Sequence, residues 1–305
     1  MRFLVFLGVL VSGFSMPVFS LETQKVDNNV YALVGETGPR TEKNFGSNNT
    51  VGFVVTDKGV VLIGSGAMPA GAKVIHQAIK EVTQKPILWV VNIGSQDHHW
   101  LGNSYFVERG AKVLSLSKTV ETQKSHVKNH LNRLKSTAKE LIKTINPVYA
   151  NQIFTEDRNL FNLGGVDFEL IWPGNGHFPG DGALWLPQQK VLFTGDFVFL
   201  DRMLGIHPFS NVKEWQKSVH QLSKLKAKHV IPGHGRAASW QKAKAQTVDY
   251  LDYLVTGVTA AQKEWLELDE TIDQLSVAPK FEPLKNFNGW HRRNIQRTYL
   301  QFEAE

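Results

Sequence analysis

Short runs of Val and Ile, each closed by Gly, Asn or Asp, alternate with amphipathic stretches along most of this chain. Val30–Val34, Gly52–Thr56, Val60–Ile63 and Ile87–Val91 predict strands. Between the last two, Val74, Ile75, Ala78, Ile79 and Val82 mark one face of a helix starting near Pro69. A second helix is expected over about residues 118–143, with Val120, Val127, Leu131, Leu134, Ala138 and Leu141 as its apolar stripe. The second half repeats the theme, with strands at Asn159–Leu163, Val166–Ile171, Ala183–Leu186, Val191–Thr194 and Val230–Ile231. Helices follow over about 212–225, where Asn211 and Glu214 suit a capping box, from about 240, and over about 288–302. Two such αβ halves predict a layered α/β fold in one domain, residues 21–238, with a helical C-terminal extension, residues 239–305, packed on it.

Composition narrows the chemistry. With 42% hydrophobic and 20% charged residues in 305, the chain has enough apolar surface to fold, which excludes disordered, collagen-like and coiled-coil classes. It has no cysteine, so disulfide scaffolds, thiolate metal sites and cysteine nucleophiles are excluded, and any metal must be held by His and carboxylate. The net charge of +6 owes much to the exposed face of the 118–143 helix, with Lys124, Lys128, Arg133, Lys135, Lys139 and Lys143. No nucleic-acid-binding motif accompanies it, so no nucleic-acid partner is expected. At the N-terminus, Arg2 precedes an apolar stretch from Phe3 to about Phe14, and Val18 and Ser20 occupy the −3 and −1 positions of a cleavage site. Residues 1–20 therefore predict a secretory signal peptide, too short to span a bilayer. The mature protein is expected to be periplasmic or secreted, without stable membrane insertion.

Three glycine-flanked segments carry the candidate chemistry: Gly176-His177, Thr194-Gly195-Asp196 and Pro232-Gly233-His234-Gly235. Each follows a predicted strand, where α/β folds gather functional groups from distant parts of the chain. Imidazole nitrogen and carboxylate oxygen both suit zinc, and glycine lets the backbone bend tightly enough for them to converge.

With these segments, Asn49-Thr50-Val51-Gly52, Val61-Leu62-Ile63-Gly64-Ser65-Gly66, the stretch Val90–Asn103 and Pro179-Gly180-Asp181, the chain resembles the metallo-β-lactamase fold superfamily over about residues 27–236. It is most similar to the exported quinoprotein relay system zinc metallohydrolases. The resemblance implies a four-layer αβ/βα sandwich with metals at one edge of the paired sheets. It also implies metal-assisted hydrolysis of an amide, ester or thioester-like bond in a small-molecule substrate. The family's usual His-x-His-x-Asp-His motif is degenerate. Aligned without a gap, its two leading histidines become Gly94 and Gln96, its aspartate becomes His98, and its last histidine is kept as His99. A register shifted by one residue instead matches Asp97-His98 to the Asp-His pair. Gly64 also stands where the family has a supporting aspartate, which should loosen the metal-binding loop.

The ligand set implied is His98, His99, His177, Asp196 and His234. The family's first metal position keeps only His177, with Gln96 as a weak donor, whereas the second assembles His99 or His98, Asp196 and His234. One zinc ion at the second position is expected, since catalytic zinc generally takes three protein ligands plus water. Asp196 would bind the ion, and Asp97, with His177 second, would move protons. The rival expectation is a catalytically silent binding protein that has lost the first metal position; a relative of the family's nucleases is a third reading, which the export signal opposes. His126 and His130 share a helix face but lack the Glu of a zinc-protease motif, and are expected to be solvated. His207 lies in a loop near the expected cleft but is not expected to touch substrate, Trp290–Asn294 is expected to dock the C-terminus rather than to bind an anion, and Trp100 and Phe106 are expected in the core.

Overall fold

Val61 and Ile63 point to one side of their strand, Val60 and Leu62 to the other, and this period of two sets the layers. The structure, a computed structural model, describes residues 21–304. The signal peptide expected at residues 1–20 lies outside the described residues. One sheet contains β1 (Glu22–Asp27), β2 (Val30–Val34), β3 (Val51–Val55), β4 (Val60–Ile63), β5 (Ile87–Asn92), β6 (Lys112–Leu116) and β7 (Gln152–Phe154), side by side in that order. Its first four strands are antiparallel and β4 to β7 run parallel. The connections carry α1 (Pro69–Val82), α2 (Asn103–Val107) and α3 (Ser117–Ala138).

The second sheet is built from β8 (Arg158–Leu163), β9 (Val166–Ile171), β10 (Ala183–Leu186), β11 (Val191–Phe199) and β12 (His229–His234), and only the β11–β12 pair is parallel. Helix α4 (Val212–Ser223) connects β11 to β12, and α5 (Trp240–Ala243), α6 (Asp249–Lys263), α7 (Leu268–Leu275) and α8 (Phe287–Glu303) follow, with a π-type stretch, Lys244–Val248, joining α5 to α6. Val61, Ile63, Val91 and Leu114 meet Leu170, Leu184, Leu186 and Phe193 between the two sheets. Leu62 and Val90 pack outward against Ile75 and Ile79 of α1, while Trp185 and Leu192 lie in the cluster formed with Trp215 of α4 and Leu254 of α6. The result is the four-layer αβ/βα sandwich with a helical C-terminal extension.

Two expectations need correction. The strand predicted to stop at Thr194 continues to Phe199, because the irregular pairing around Gly195 absorbs the glycine without ending the ladder. The helix predicted to reach 143 ends at Ala138, because Lys139 turns to φ +47° and opens a 310 segment, Lys139–Thr144. Near α4, the Asn211 side chain accepts the Glu214 amide, the first half of the predicted capping box.

Candidate metal centre

The loop after β5 carries a 310 turn, Asp97–His99, the loop after β9 supplies His177, β11 supplies Asp196, and β12 ends on His234. The imidazoles of His98, His99, His177 and His234 are buried and meet around the buried carboxylate of Asp196. Its Oδ2 lies 3.2 Å from His98 Nε2, 3.3 Å from His99 Nε2 and 3.4 Å from His177 Nδ1, and its Oδ1 lies 3.6 Å from His234 Nε2. Yet His98 Nε2, His99 Nε2, His177 Nδ1 and both Asp196 oxygens have no hydrogen-bond partner among the described residues. Buried polar atoms are normally paired, because leaving them unpaired costs about 1–3 kcal/mol each. Neighbouring donors around a tetrahedral zinc with bonds of about 2.0–2.1 Å stand about 3.3 Å apart. The orphaned atoms therefore fit a shared cation in spacing and in chemistry. His98, His99 and Asp196 form the compact set, with donor atoms within 4.8 Å of one another.

Hydrogen bonds on the far side of two rings select the ligating nitrogen. His234 Nδ1 donates to the Asn48 carbonyl at 2.9 Å, leaving the Nε2 lone pair toward Asp196. His98 Nδ1 lies 3.3 Å from Asp97 Oδ1, which favours the same tautomer, but Arg40 also reaches that nitrogen and competes for it. Arg40 makes its own ion pair with Asp97 at 2.7 Å. Burial opposes ionisation of Asp97, but Arg40 and His98 outweigh it and hold the carboxyl well below its usual range. Asp196 is likewise held ionised: burial works against it, and the surrounding imidazoles, His99 first, prevail. Burial lowers His98 and His234, whereas at His99 the attraction of Asp196 overcomes burial and raises the pKa.

A cavity of about 410 Å3 opens onto His98, His177 and His234, and Gln96 and His207 line it too. Asp97 is fully buried and stands against Arg40 and His98, which do line the cavity. Gly94 has the His99 ring packed on it; a Cβ there would lie 2.3 Å from His99 Cδ2. Gly233 serves the other side in the same way, since its Cβ would sit 2.1 Å from Asp196 Oδ1. The loop carrying His98 and His99 is tied down by neighbouring segments. Asn49 Nδ2 donates to the His98 carbonyl at 3.2 Å, and the Ser65 amide donates to the His99 carbonyl at 2.9 Å. Asp181 joins two loops, accepting the amides of Ser95 at 2.9 Å and Phe178 at 3.1 Å.

Sequence reasoning passed over Arg40, Arg133 and Arg202 as cavity residues, because cationic residues distant in sequence give no local signal of convergence. The expectation that His126 and His130 are solvated is corrected. His130 is 1% exposed, with both ring nitrogens unpartnered, because the α3 face bearing it turns under Phe178; burial pushes its pKa down to about 4. His126 is half-buried against Phe178 and Phe209. Trp100 and Phe106 lie in the core. In the 290–294 stretch, Trp290 reaches the cavity, while His291 is buried against Tyr250 and the Leu275 carbonyl.

Comparison with known proteins bears on the fold. The family model described as Metallo-beta-lactamase superfamily matches residues 45–234. The metallo-beta-lactamase IND-1 of Chryseobacterium indologenes is 28% identical over 244 residues, covering 76% of this chain and 90% of that protein. The type 2 metallo-beta-lactamase of Elizabethkingia meningoseptica is 26% identical over 189 residues, 60% of this chain and 67% of that one. Among solved structures, a metallo-beta-lactamase from Pontibacter korlensis superposes with a TM-score of 0.61 at 23% identity, over 76% of this chain and 99% of that one. The sec-alkylsulfatase Pisa1 from Pseudomonas sp. superposes with a TM-score of 0.73 at 18% identity, over 92% of this chain and 50% of that one.

Proposed function

Since the chain belongs to the metallo-beta-lactamase superfamily, whose members bind zinc, we propose that it is a zinc-dependent hydrolase with one ion seated against Asp196. The observation that carries this reading is the set of buried, unpartnered donor atoms on His98, His99, His177 and Asp196. His98, His99 and Asp196 would hold the ion, with His234 and His177 flanking the carboxylate on its two oxygens. When bound, zinc supplies an activated water and polarises a scissile carbonyl.

The chain's own contribution is positioning. Asn48 keeps the His234 tautomer, and Asp97 orients His98 while remaining ionised. An ionised, enclosed carboxylate paired with arginine is a weak proton acceptor, so the reading gives Asp97 an orienting role rather than the proton transfer first expected of it. His177 is then the nearer group for moving a proton at the cavity wall. The bond cleaved is an amide, ester or thioester-like one. The signal-like residues 1–20 support a periplasmic or secreted mature chain, and the sequence motifs support kinship with the quinoprotein relay hydrolases. Among the described residues no helix is long and apolar enough to cross a membrane.

Elemental analysis of the purified chain, paired with hydrolysis of β-lactam, ester and thioester probes before and after chelation, tests the reading. About one zinc per chain and chelator-sensitive turnover are expected. The second reading, a silent binding protein, is favoured by the missing imidazoles at Gly94 and Gln96; a chain that binds no added zinc and cleaves no probe would establish it.

A further inference from the structure

The edge of a sheet presents backbone N–H and C=O groups that another strand can pair, and folded proteins usually blunt it. Among the described residues, three of the four edges of the two sheets are blunted. β7 has only three residues. β1 carries Glu22, Lys25 and Asp27 and shifts register between the last two. β12 is covered, since Val230 and Ala238 exchange backbone bonds of 2.7 and 3.0 Å. The fourth edge, β8, runs Arg-Asn-Leu-Phe-Asn-Leu in unbroken register, with neither proline nor lysine.

The phase of the β8–β9 ladder decides which backbone groups are free. The Trp172 amide donates to the Asp157 carbonyl at 2.8 Å, and Leu163 and Val166 flank the turn Gly164-Gly165, both glycines at positive φ. Bonded and non-bonded pairs alternate along an antiparallel ladder, so residues 157, 159, 161 and 163 bond β9. Arg158, Leu160 and Asn162 therefore turn their N–H and C=O groups away from it, and no other described residue takes them. Their side chains share one face of the sheet, where Leu160 is 72% exposed.

We propose that β8 pairs antiparallel with β8 of a second copy of this chain, centred on Leu160, so that their two sheets become one. In this register Leu160 meets Leu160, and Arg158 meets Asn162 of the second copy. Each opposed pair exchanges both of its backbone bonds. Asn162 is bonded to Asp167 at 2.7 Å, so each Arg158 approaches an acidic group across the seam while it keeps its own Glu169. Centring the pair on Arg158 would set two guanidinium groups opposite each other, and centring it on Asn162 would carry Arg158 past the glycine turn of the second copy. A strand whose free groups, apolar centre and charges match their own two-fold image fits a second copy. None of residues 156–163 lines the metal-centre cavity, so the seam leaves that cavity open in both copies and does not depend on the hydrolase reading.

Sedimentation velocity over a series of concentrations tests this on the purified chain. Mass should rise from one chain toward two. Leu160→Lys, which puts two ammonium groups at the centre of the seam, should raise the dissociation constant at least about tenfold. Its circular dichroism spectrum should stay that of the parent, because Leu160 is exposed in the single chain, and this separates lost pairing from lost folding. The chain has no cysteine, so Leu160→Cys should close a disulfide between two copies under mild oxidation, which opposed Cα atoms about 5.5 Å apart allow. Leu300→Cys, also exposed but on α8, should not. The mass of one chain at every concentration overturns the proposal, whether the edge is bare or taken by a strand of another protein. A dimer unaffected by Leu160→Lys, or equal cross-linking through Leu160→Cys and Leu300→Cys, overturns it as well.

Discussion

The metal centre is assembled from two unlike sides. On the side of the second sheet, Asp196 lies within β11 and His234 closes β12, so the parallel ladder between those strands sets where both side chains stand. On the side of the first sheet, His98 and His99 sit in a 310 turn that belongs to no ladder. Asn49, Ser65 and the Arg40–Asp97 pair hold that turn through individual contacts. A ladder shares the load over many backbone bonds, whereas a loop held by side chains depends on each of them. The second-sheet side should therefore tolerate changes around it, and the loop side should not.

Removing the shared group breaks the comparison outright. Asp196→Asn takes the carboxylate from both sides at once, and zinc per chain should fall from about one to near zero, with probe hydrolysis lost; elemental analysis and the same assays check it. Next in size is the pH response of α3, which packs against the loop side. His130 has a folded pKa of about 4 against 6.5 for the unfolded chain. The unfolded state therefore binds the extra proton between those values, and stability present above pH 6.5 is lost as pH falls to 4. At about 1.4 kcal/mol per unit this amounts to about 3 kcal/mol. His130→Leu should lose that much less than the parent over the same interval in urea melts.

Gly94→Ala sharpens the contrast, because its Cβ would collide with the His99 ring. A destabilisation of about 2 kcal/mol, the usual scale of overpacking, is expected with weakened zinc binding; thermal melts with and without zinc separate the two effects. Arg40→Met is the mildest. Freeing Asp97 should weaken zinc by about tenfold, or 1.4 kcal/mol, as for other outer partners of a metal ligand, measured by competition with a chromophoric chelator. If Arg40→Met binds zinc as tightly as the parent, the dependence of the loop side on its individual contacts is wrong.

Much of the architecture is legible in the residue pattern. Val60–Ile63, Val166–Ile171 and Ala183–Leu186 are strands with the bounds their composition predicts, and Pro69 opens α1. The elements passed over are short or weakly patterned: β1, β7, α2 and the eight-residue α7. At the site, glycine beside His177, Asp196 and His234 was a usable local signal. The ambiguity between His98 and His99 was not resolvable that way, and both rings turn out to face Asp196, with centroids 4.2 Å apart. His130 misled because a lysine-rich helix looks solvated along its whole length, whereas the face carrying His130 is covered by Phe178.

By itself the sequence determined the alternation of strands and helices, the absence of thiolate chemistry and the short-range glycine contexts of the ligating residues, since each depends on neighbours a few positions away. Only the tertiary structure decided that Arg202 is buried at the cavity wall, that Trp290 of the C-terminal extension reaches the same cavity, and that Asn48 selects the nitrogen of His234. Those contacts link residues scores of positions apart, and their energies come from burial, which a linear pattern does not encode.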